Sequence, residues 1–325
     1  MTALAAQDSP LTRLMRFMGD RPLLPLAILL LLLVGVLELM QPGIVNDRWI
    51  SNAIKVAIPL AMLAACQTLT MLTGGIDLSA GTAATIAAFV TATMTPLIGV
   101  PAAMTLALAC AVTIGVVNGF GVAICRVHPL IMTLGTALIG SGCLLVYQRY
   151  VIATGTKIPD ALVWLGTGRT LGLPNGLFLF IPFAILVIWA QRRTGFGRLL
   201  YAIGSNEAAA RLSGVRVWQV QWALYSLSGL IAGLTGLLYL GVVKTPSLSL
   251  ALPLDLPSVA AAVVGGTSIF GGRGGFGGTI LGALILTVLT TMLTLMQIPE
   301  GGRRILFGLI ILAVTALYVR LTNQS

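Results

Sequence analysis

The residues able to do chemistry are few, and they fall in three stretches. T-G-G-I-D-L-S, from Thr73 to Ser79, sets an acid and a hydroxyl, Asp77 and Ser79, just after the paired Gly74 and Gly75. V-V-G-G-T-S-I-F-G-G-R-G-G-F-G-G, from Val263 to Gly278, carries eight glycines in 16 residues and contains Gly265, Gly266 and Thr267. Gln191 to Val220 gathers five arginines (Arg192, Arg193, Arg198, Arg211 and Arg216) around one acid, Glu207. A glycine-rich loop invites a phosphate-binding reading. Here G-x-x-x-x-G-K-[ST] is missing, and none of the three lysines, Lys55, Lys157 and Lys244, follows a glycine, so ATP is not bound by that motif. His128 is the only histidine and precedes Pro129 at a helix boundary. Without H-E-x-x-H, metalloprotease chemistry is excluded, and His128 reads as a surface residue. Cys66, Cys110, Cys125 and Cys143 lie in or at the ends of apolar runs without C-x-x-C spacing, which speaks against metal and disulfide alike. No pair of catalytic groups stands at a sensible spacing, so the chain is expected to be neither an enzyme nor the holder of a cofactor.

The elements that would position these residues can be read locally. Paired glycines break a helix, and Asp77 with Ser79 then stands where the next helix exposes its unpaired amides. An acid near a bilayer core costs about 2.5–3.5 kcal/mol, so Asp77 needs a compensating role, either as a helix cap or as a substrate contact. In the arginine-rich stretch, Ser205 or Asn206 can cap a short helix. Glu207 sits in its first turn, three alanines follow and Gly214 supplies the stop. Glu207 and Arg211 form an i, i+4 pair in the better orientation. Because an isolated helix of about two turns is marginal in water, this one must dock on something. Ala208, Ala209 and Leu212 share a face that a partner's groove could approach closely. The plainer alternative is a merely basic loop.

The whole chain determines the surroundings. Of its 325 residues 57% are hydrophobic and 9% charged, a composition outside the range of soluble globular proteins. The formal net charge of +10 lies in short loops between apolar runs, which is membrane topology and gives no case for nucleic acid. A bilayer core asks for about 20 apolar residues per helix. That rule predicts an all-α polytopic membrane protein of ten spans with glycine-broken helix junctions: Leu23 to Met40, Ile54 to Leu72, Leu78 to Leu97, Ala102 to Cys125, Pro129 to Tyr147, Leu177 to Ala190, Val220 to Val243, Leu256 to Val264, Phe276 to Met296 and Ile305 to Leu321. The eighth is too short for a regular crossing and must tilt, borrow from Leu250 to Asp255, or be a broken helix lined by protein. The first run has no small-residue cleavage pattern, so it is read as a retained span.

Residues 1–21 then form a cytoplasmic segment, 22–321 the membrane domain with 191–219 as a cytoplasmic loop, and 322–325 a tail. With the N-terminus inside, 11 of the 19 basic residues lie on the inner side, and the arginine-rich loop decides that orientation. Gly115 and Gly119 on the fourth span, and Gly229 and Gly233 on the seventh, are spaced for close helix contact. Asn118 faces another helix or lines a pore, and Glu38 snorkels to the interface. Tyr147 to Asn175 reads as an outer loop.

N-E-A-A-A-R-L-S-G-V, T-G-G-I-D-L-S and G-G-T-S with its trailing glycines together resemble the permeases of bacterial ABC importers, in the branch that moves ribose, xylose, galactose and related sugars. The likeness covers about Ile54 to Leu317. It implies an inner-membrane subunit acting with a separate ATPase that holds ATP and Mg, a periplasmic sugar-binding protein and a second permease copy, all amid membrane lipid. Glu207, Ala208, Ala209, Arg211, Leu212 and Gly214 would belong to the coupling helix. Gly74, Gly75, Asp77, Ser79, Thr82, Gly265, Gly266 and Thr267 would be candidates for the translocation pathway, where small and hydroxyl side chains suit a sugar that must not be held tightly. One departure stands out: members usually carry an acidic pair where this chain has Asp255 and Pro257. An ion-coupled secondary transporter also uses broken helices. It would need several acids or histidines in mid-span, and only Glu38 and Asp77 remain once loop acids are set aside.

Overall fold

The computed structural model describes residues 23–151 and 155–322, with side chains described to residue 313. The segment expected at residues 1–21, the arginines in it and the last three residues lie outside that range. Every predicted span is a helix: α1 (Leu23–Met40), α2 (Asp47–Met71), α3 (Ala80–Ile98), α4 (Val100–Ala123), α5 (Pro129–Val151), α7 (Gly176–Arg193), α10 (Val217–Val243), α11 (Asp255–Val264), α12 (Phe276–Leu295) and α13 (Glu300–Thr322). Among the described residues, eight helices are long and apolar enough to cross a membrane. α11, with 10 residues, is about 15 Å long and covers half of a bilayer core. Ser258 through Val263 on α11 are all buried, and α2, α12 and α13 surround it. It is a broken helix lined by protein, which is how non-helical backbone is tolerated at membrane depth.

Some boundaries moved for local reasons. α2 begins at Asp47 rather than Ile54, because Asn46 accepts the Trp49 amide at 3.0 Å and caps a turn that apolarity alone does not mark. Glu38, expected to snorkel, accepts the amides of Gly43 (2.6 Å) and Val45 (2.9 Å) and closes the α1–α2 turn.

The stretch read as an outer loop contains α6 (Asp160–Thr167) and a two-stranded hairpin, β1 (Arg169–Thr170) and β2 (Leu173–Pro174). Leu171 and Gly172 both have positive φ at its two-residue turn, as the twist of such hairpins demands. The arginine-rich stretch contains α9 (Glu207–Leu212) and, ahead of it, α8 (Gly195–Ser205), which the spans did not predict.

α10 is the central post, packed on α2, α3 and α4. The two small-residue motifs meet each other there. A Cβ on Gly229 would stand 2.5 Å from the Ala111 carbonyl and 3.1 Å from Gly115 Cα, while one on Gly119 would strike Trp222. In lipid there is no hydrophobic drive between helices, so this close backbone approach is the source of packing energy.

Candidate functional site

The short helix α9 is built as its residues dictate. Asn206, rather than Ser205, accepts the Ala209 amide at 2.9 Å. Glu207 receives Arg211 Nε at 3.0 Å. At the far end the Gly214 amide donates to Arg211 O and the Val215 amide to Ala210 O, with Gly214 at φ +83°, which closes the helix by the paired bonds of a Schellman turn. Only Ala210 turns inward. Ala208 and Ala209 are exposed, and Leu212 is 90% exposed. A fully presented leucine beside two alanines is the small apolar face expected from the sequence.

α9 stands on α8, and α8 carries a helical pattern: Phe196, Leu199, Leu200 and Ile203 are spaced i, i+3, i+4, i+7. Leu200 and Ile203 are buried, and Thr194 caps the helix by accepting the Gly197 amide. Glycines at 195, 197 and 204 and the flanking arginines dilute that pattern, which is why it is easily passed over.

The tip of α8 touches both glycine junctions at once. Gly204 lies against the Leu72 carbonyl, which itself accepts the Gly272 amide at 3.0 Å. A Cβ on Gly271 would be 2.8 Å from Gly204 O and 3.1 Å from Gly74 N. Tyr201 donates its hydroxyl to Gly274 O at 2.8 Å, and burial pushes that phenol above its usual range, keeping it a neutral donor. Gln191, at the end of α7, accepts the Phe276 amide at 3.0 Å. The last turn of α2, the glycine loop before α12 and the end of α7 therefore all converge on α8.

Gly74 and Gly75 divide their duties. Gly74 has φ +79°, a left-handed conformation that favours glycine. Gly75 is the place of close approach: a Cβ there would stand 2.5 Å from the Tyr225 hydroxyl and 3.3 Å from Pro129. The second junction uses the same division in reverse order, with Gly265 pressed on Gly278 and Gly266 at φ +87°. Thr267 is buried in that turn. Its hydroxyl has no hydrogen-bond partner among the described residues.

Asp77 is the centre of a buried polar network. Oδ1 accepts the Ser79 amide (3.0 Å) and hydroxyl (2.6 Å), and Oδ2 accepts the Ser228 hydroxyl from α10 (2.6 Å). Its backbone is held by Gln67 on α2, which donates Nε2–H to Asp77 O at 2.7 Å. Ser79 accepts Asn118 Nδ2 from α4 (2.7 Å), and Asn118 accepts the Thr136 hydroxyl from α5 (2.6 Å). Five helices are thus tied through one acid, and Asn118 faces other helices. Thr82, one turn on, is buried against Gly140 of α5.

The first-turn cap of α3 comes from elsewhere. Asp255, at the start of α11, accepts the Gly81 amide at 2.7 Å, and Thr85 accepts the Ala251 amide at 3.0 Å. A Cβ on Gly81 would strike the Asp255 carboxylate. The lone acid of the expected acidic pair therefore pins α3 to α11. No local pattern could have shown this, since the partners lie 174 positions apart. Among the described residues no three metal-ligating side chains gather.

Known permeases are similar to this chain along most of its length. Residues 49–315 match the family model described as "Branched-chain amino acid transport system / permease component". The ribose import permease protein RbsC of Escherichia coli K12 is 35% identical over 293 residues, covering 88% of this chain and 90% of that protein. The Bacillus subtilis ribose import permease protein RbsC is 31% identical over 294 residues, covering 89% and 90%. The fructose import permease protein FrcC of Rhizobium meliloti is 31% identical over 300 residues, covering 88% and 83%. No solved structure matches the chain.

Proposed function

The chain belongs to the permease-component family of these transport systems, and from that premise we propose that it is the membrane subunit of an ATP-driven importer of a small sugar, a pentose, hexose or related polyol. The observation that carries the coupling part is the exposed, doubly capped α9 seated on a helix that touches both glycine junctions. The sugar class follows the relatives named for ribose and fructose import. Its partners would be an ATPase that holds ATP and Mg, a periplasmic sugar-binding protein and a second permease copy. The site would be the bacterial inner membrane, with the arginine-rich loop in the cytoplasm.

The mechanism then rests on this chain's own contacts. Closure of the ATPase would move α9, and α8 would carry that motion to Leu72 and Gly272, the ends of the two broken junctions. Asp77, Ser79, Thr82 and Thr267 are each 3% exposed or less. In this account they form the sealed inner part of the pathway, which parts when the junctions shift. Close-packed interiors are bistable rather than continuously deformable, so a small push at α8 has a definite outcome.

The test is reconstitution of the permease with its ATPase and binding protein in proteoliposomes. Sugar uptake should require ATP and be indifferent to proton or sodium gradients. Uptake driven by an ion gradient without the ATPase would make the chain a secondary transporter.

A further inference from the structure

At the end of the bundle opposite α8 lies a cleft of about 850 Å³ between α2, α12, the start of α13 and the segment from Ser249 to Pro257. Nothing in the three sequence stretches points to it. We infer that this cleft is the outer binding station for the sugar, an inference that rests on the import reading above.

Its size falls in the range of roughly 300–1,000 Å³ typical of small-molecule sites. The chemistry of its walls is more telling. One wall is a hydroxyl stripe on α12, where Thr287, Thr290, Thr291 and Thr294 repeat at helical spacing toward the cleft. Each of these hydroxyls donates its proton to the carbonyl four residues back, at 2.7–3.1 Å. With their protons spent, they offer the cleft acceptor lone pairs only. Such a wall takes hydrogen bonds from a polyol's hydroxyls without giving any, and so grips weakly.

Donors stand at the rim. Arg303 and Arg304 open α13, with Arg304 paired to Glu300 at 2.5 Å. Trp49 and Tyr239 add aromatic surface on the other side, the kind of flat apolar face with a polar edge that suits the C–H side of a sugar ring. Most of the rest of the lining, Phe307 and the leucines among it, is apolar, so the case for a hydroxyl-rich solute rests on the threonine stripe, the rim arginines and the two aromatic side chains.

The position of the cleft supports the same occupant. Its floor is closed by Leu60 and Leu286, both buried. Its inner wall, Leu252 to Pro257, presents Leu254, Leu256 and Pro257 to the cleft and Asp255 to Gly81 on the other side. A sugar resting there would sit directly on the broken element that holds α3.

The experiment uses the whole complex with Cys110, Cys125 and Cys143 replaced by alanine; Cys66 is fully buried and stays. Parent uptake is first measured for a panel of pentoses, hexoses and related polyols that includes D-ribose, D-fructose, D-xylose and D-galactose. If none is taken up, the import reading fails, and this inference with it. With a transported sugar in hand, Thr291→Cys is treated from outside with a charged thiosulfonate. We expect labelling, slowed at least threefold by that sugar and not by glycine betaine, a small solute without hydroxyls, and Thr291→Trp should cut uptake at least tenfold with the ATPase still co-purifying. Labelling only by a lipid-soluble maleimide would make the cleft a lipid site. No labelling by either reagent would mean that a second copy covers it. Unprotected labelling with parental uptake by Thr291→Trp would show that sugar passes elsewhere. Each of these three results overturns the inference while leaving the import reading intact.

Discussion

Adding one methyl group at Gly204 tests whether α8 transmits force. A Cβ there would meet only backbone: the Leu72 carbonyl carbon at 2.9 Å, its oxygen closer still, and the Gly272 amide nitrogen at 2.5 Å. Real Cβ atoms essentially never come within 3.0 Å of such atoms, and backbone fixed by its own hydrogen bond, Gly272 N to Leu72 O, cannot swing aside. Overpacking of this kind costs about 1–3 kcal/mol, a factor of about five to 150 in the population of the seated arrangement at 1.4 kcal/mol per decade. Gly195, on the same helix, has open space around it and no positive φ, so Gly195→Ala is a matched control that should raise helix propensity slightly. The assay is ATP hydrolysis and sugar uptake by the same proteoliposomes. Gly204→Ala should keep the ATPase bound and hydrolysing while uptake falls at least fivefold; Gly195→Ala should match the parent. Parental uptake by Gly204→Ala would show that α8 can lift from the junctions without consequence, and the relay would be wrong.

Three further outcomes follow from the contacts. Asp255→Asn retains an oxygen for the Gly81 amide and should keep the melting temperature of the detergent-purified complex near parental, whereas Asp255→Ala strands a buried N–H at about 1–3 kcal/mol and should lower it by several degrees. Asp77→Asn should fold and transport, because Oδ1 still serves Ser79 and the Ser228 hydroxyl can turn to donate elsewhere or accept. Asp77→Ala should reduce membrane levels, and loss of uptake by the asparagine variant at normal levels would instead reveal a role for the charge. A cysteine placed at the exposed Ser205, with Cys110, Cys125 and Cys143 replaced, should react with impermeant reagents only from the cytoplasmic side; labelling from outside would invert the topology.

The helices were legible where one physical rule dominated. Apolar length located a helix at each of the ten predicted segments, and α11 was recognisable as too short to cross as a regular helix, but whether it tilts, borrows from Leu250 to Asp255 or is broken was decided only by the protein packed around it. α9 was legible because caps, charge pair and stop are all local. α8 carries its apolar stripe openly, yet three glycines argue against a helix, and only the burial of Leu200 and Ile203 reverses the balance. The glycine pairs were visible as breaks, but not which of each pair needs left-handed backbone and which needs the missing Cβ, since Tyr225 and Gly278 come from distant sequence. For the same reason neither the Asp255 cap on Gly81 nor the cleft at the opposite end could be read from spacing.

The central claim is that α9 is the element an ATPase grips, and Ala208→Trp tests it most directly. Ala208 is exposed on the small face beside Leu212, so a bulky ring leaves the fold of this chain undisturbed while clashing with any groove shaped to the helix. The expected loss is about 1–3 kcal/mol of docking, or roughly five- to 150-fold in affinity. Glu207→Gln removes only an exposed pair worth about 0.3–0.5 kcal/mol and serves as the control. Co-purification of the ATPase with each variant, at equal permease levels, should show the complex retained with Glu207→Gln and lost or greatly depleted with Ala208→Trp. An ATPase that stays bound to Ala208→Trp as firmly as to the parent would contradict the account.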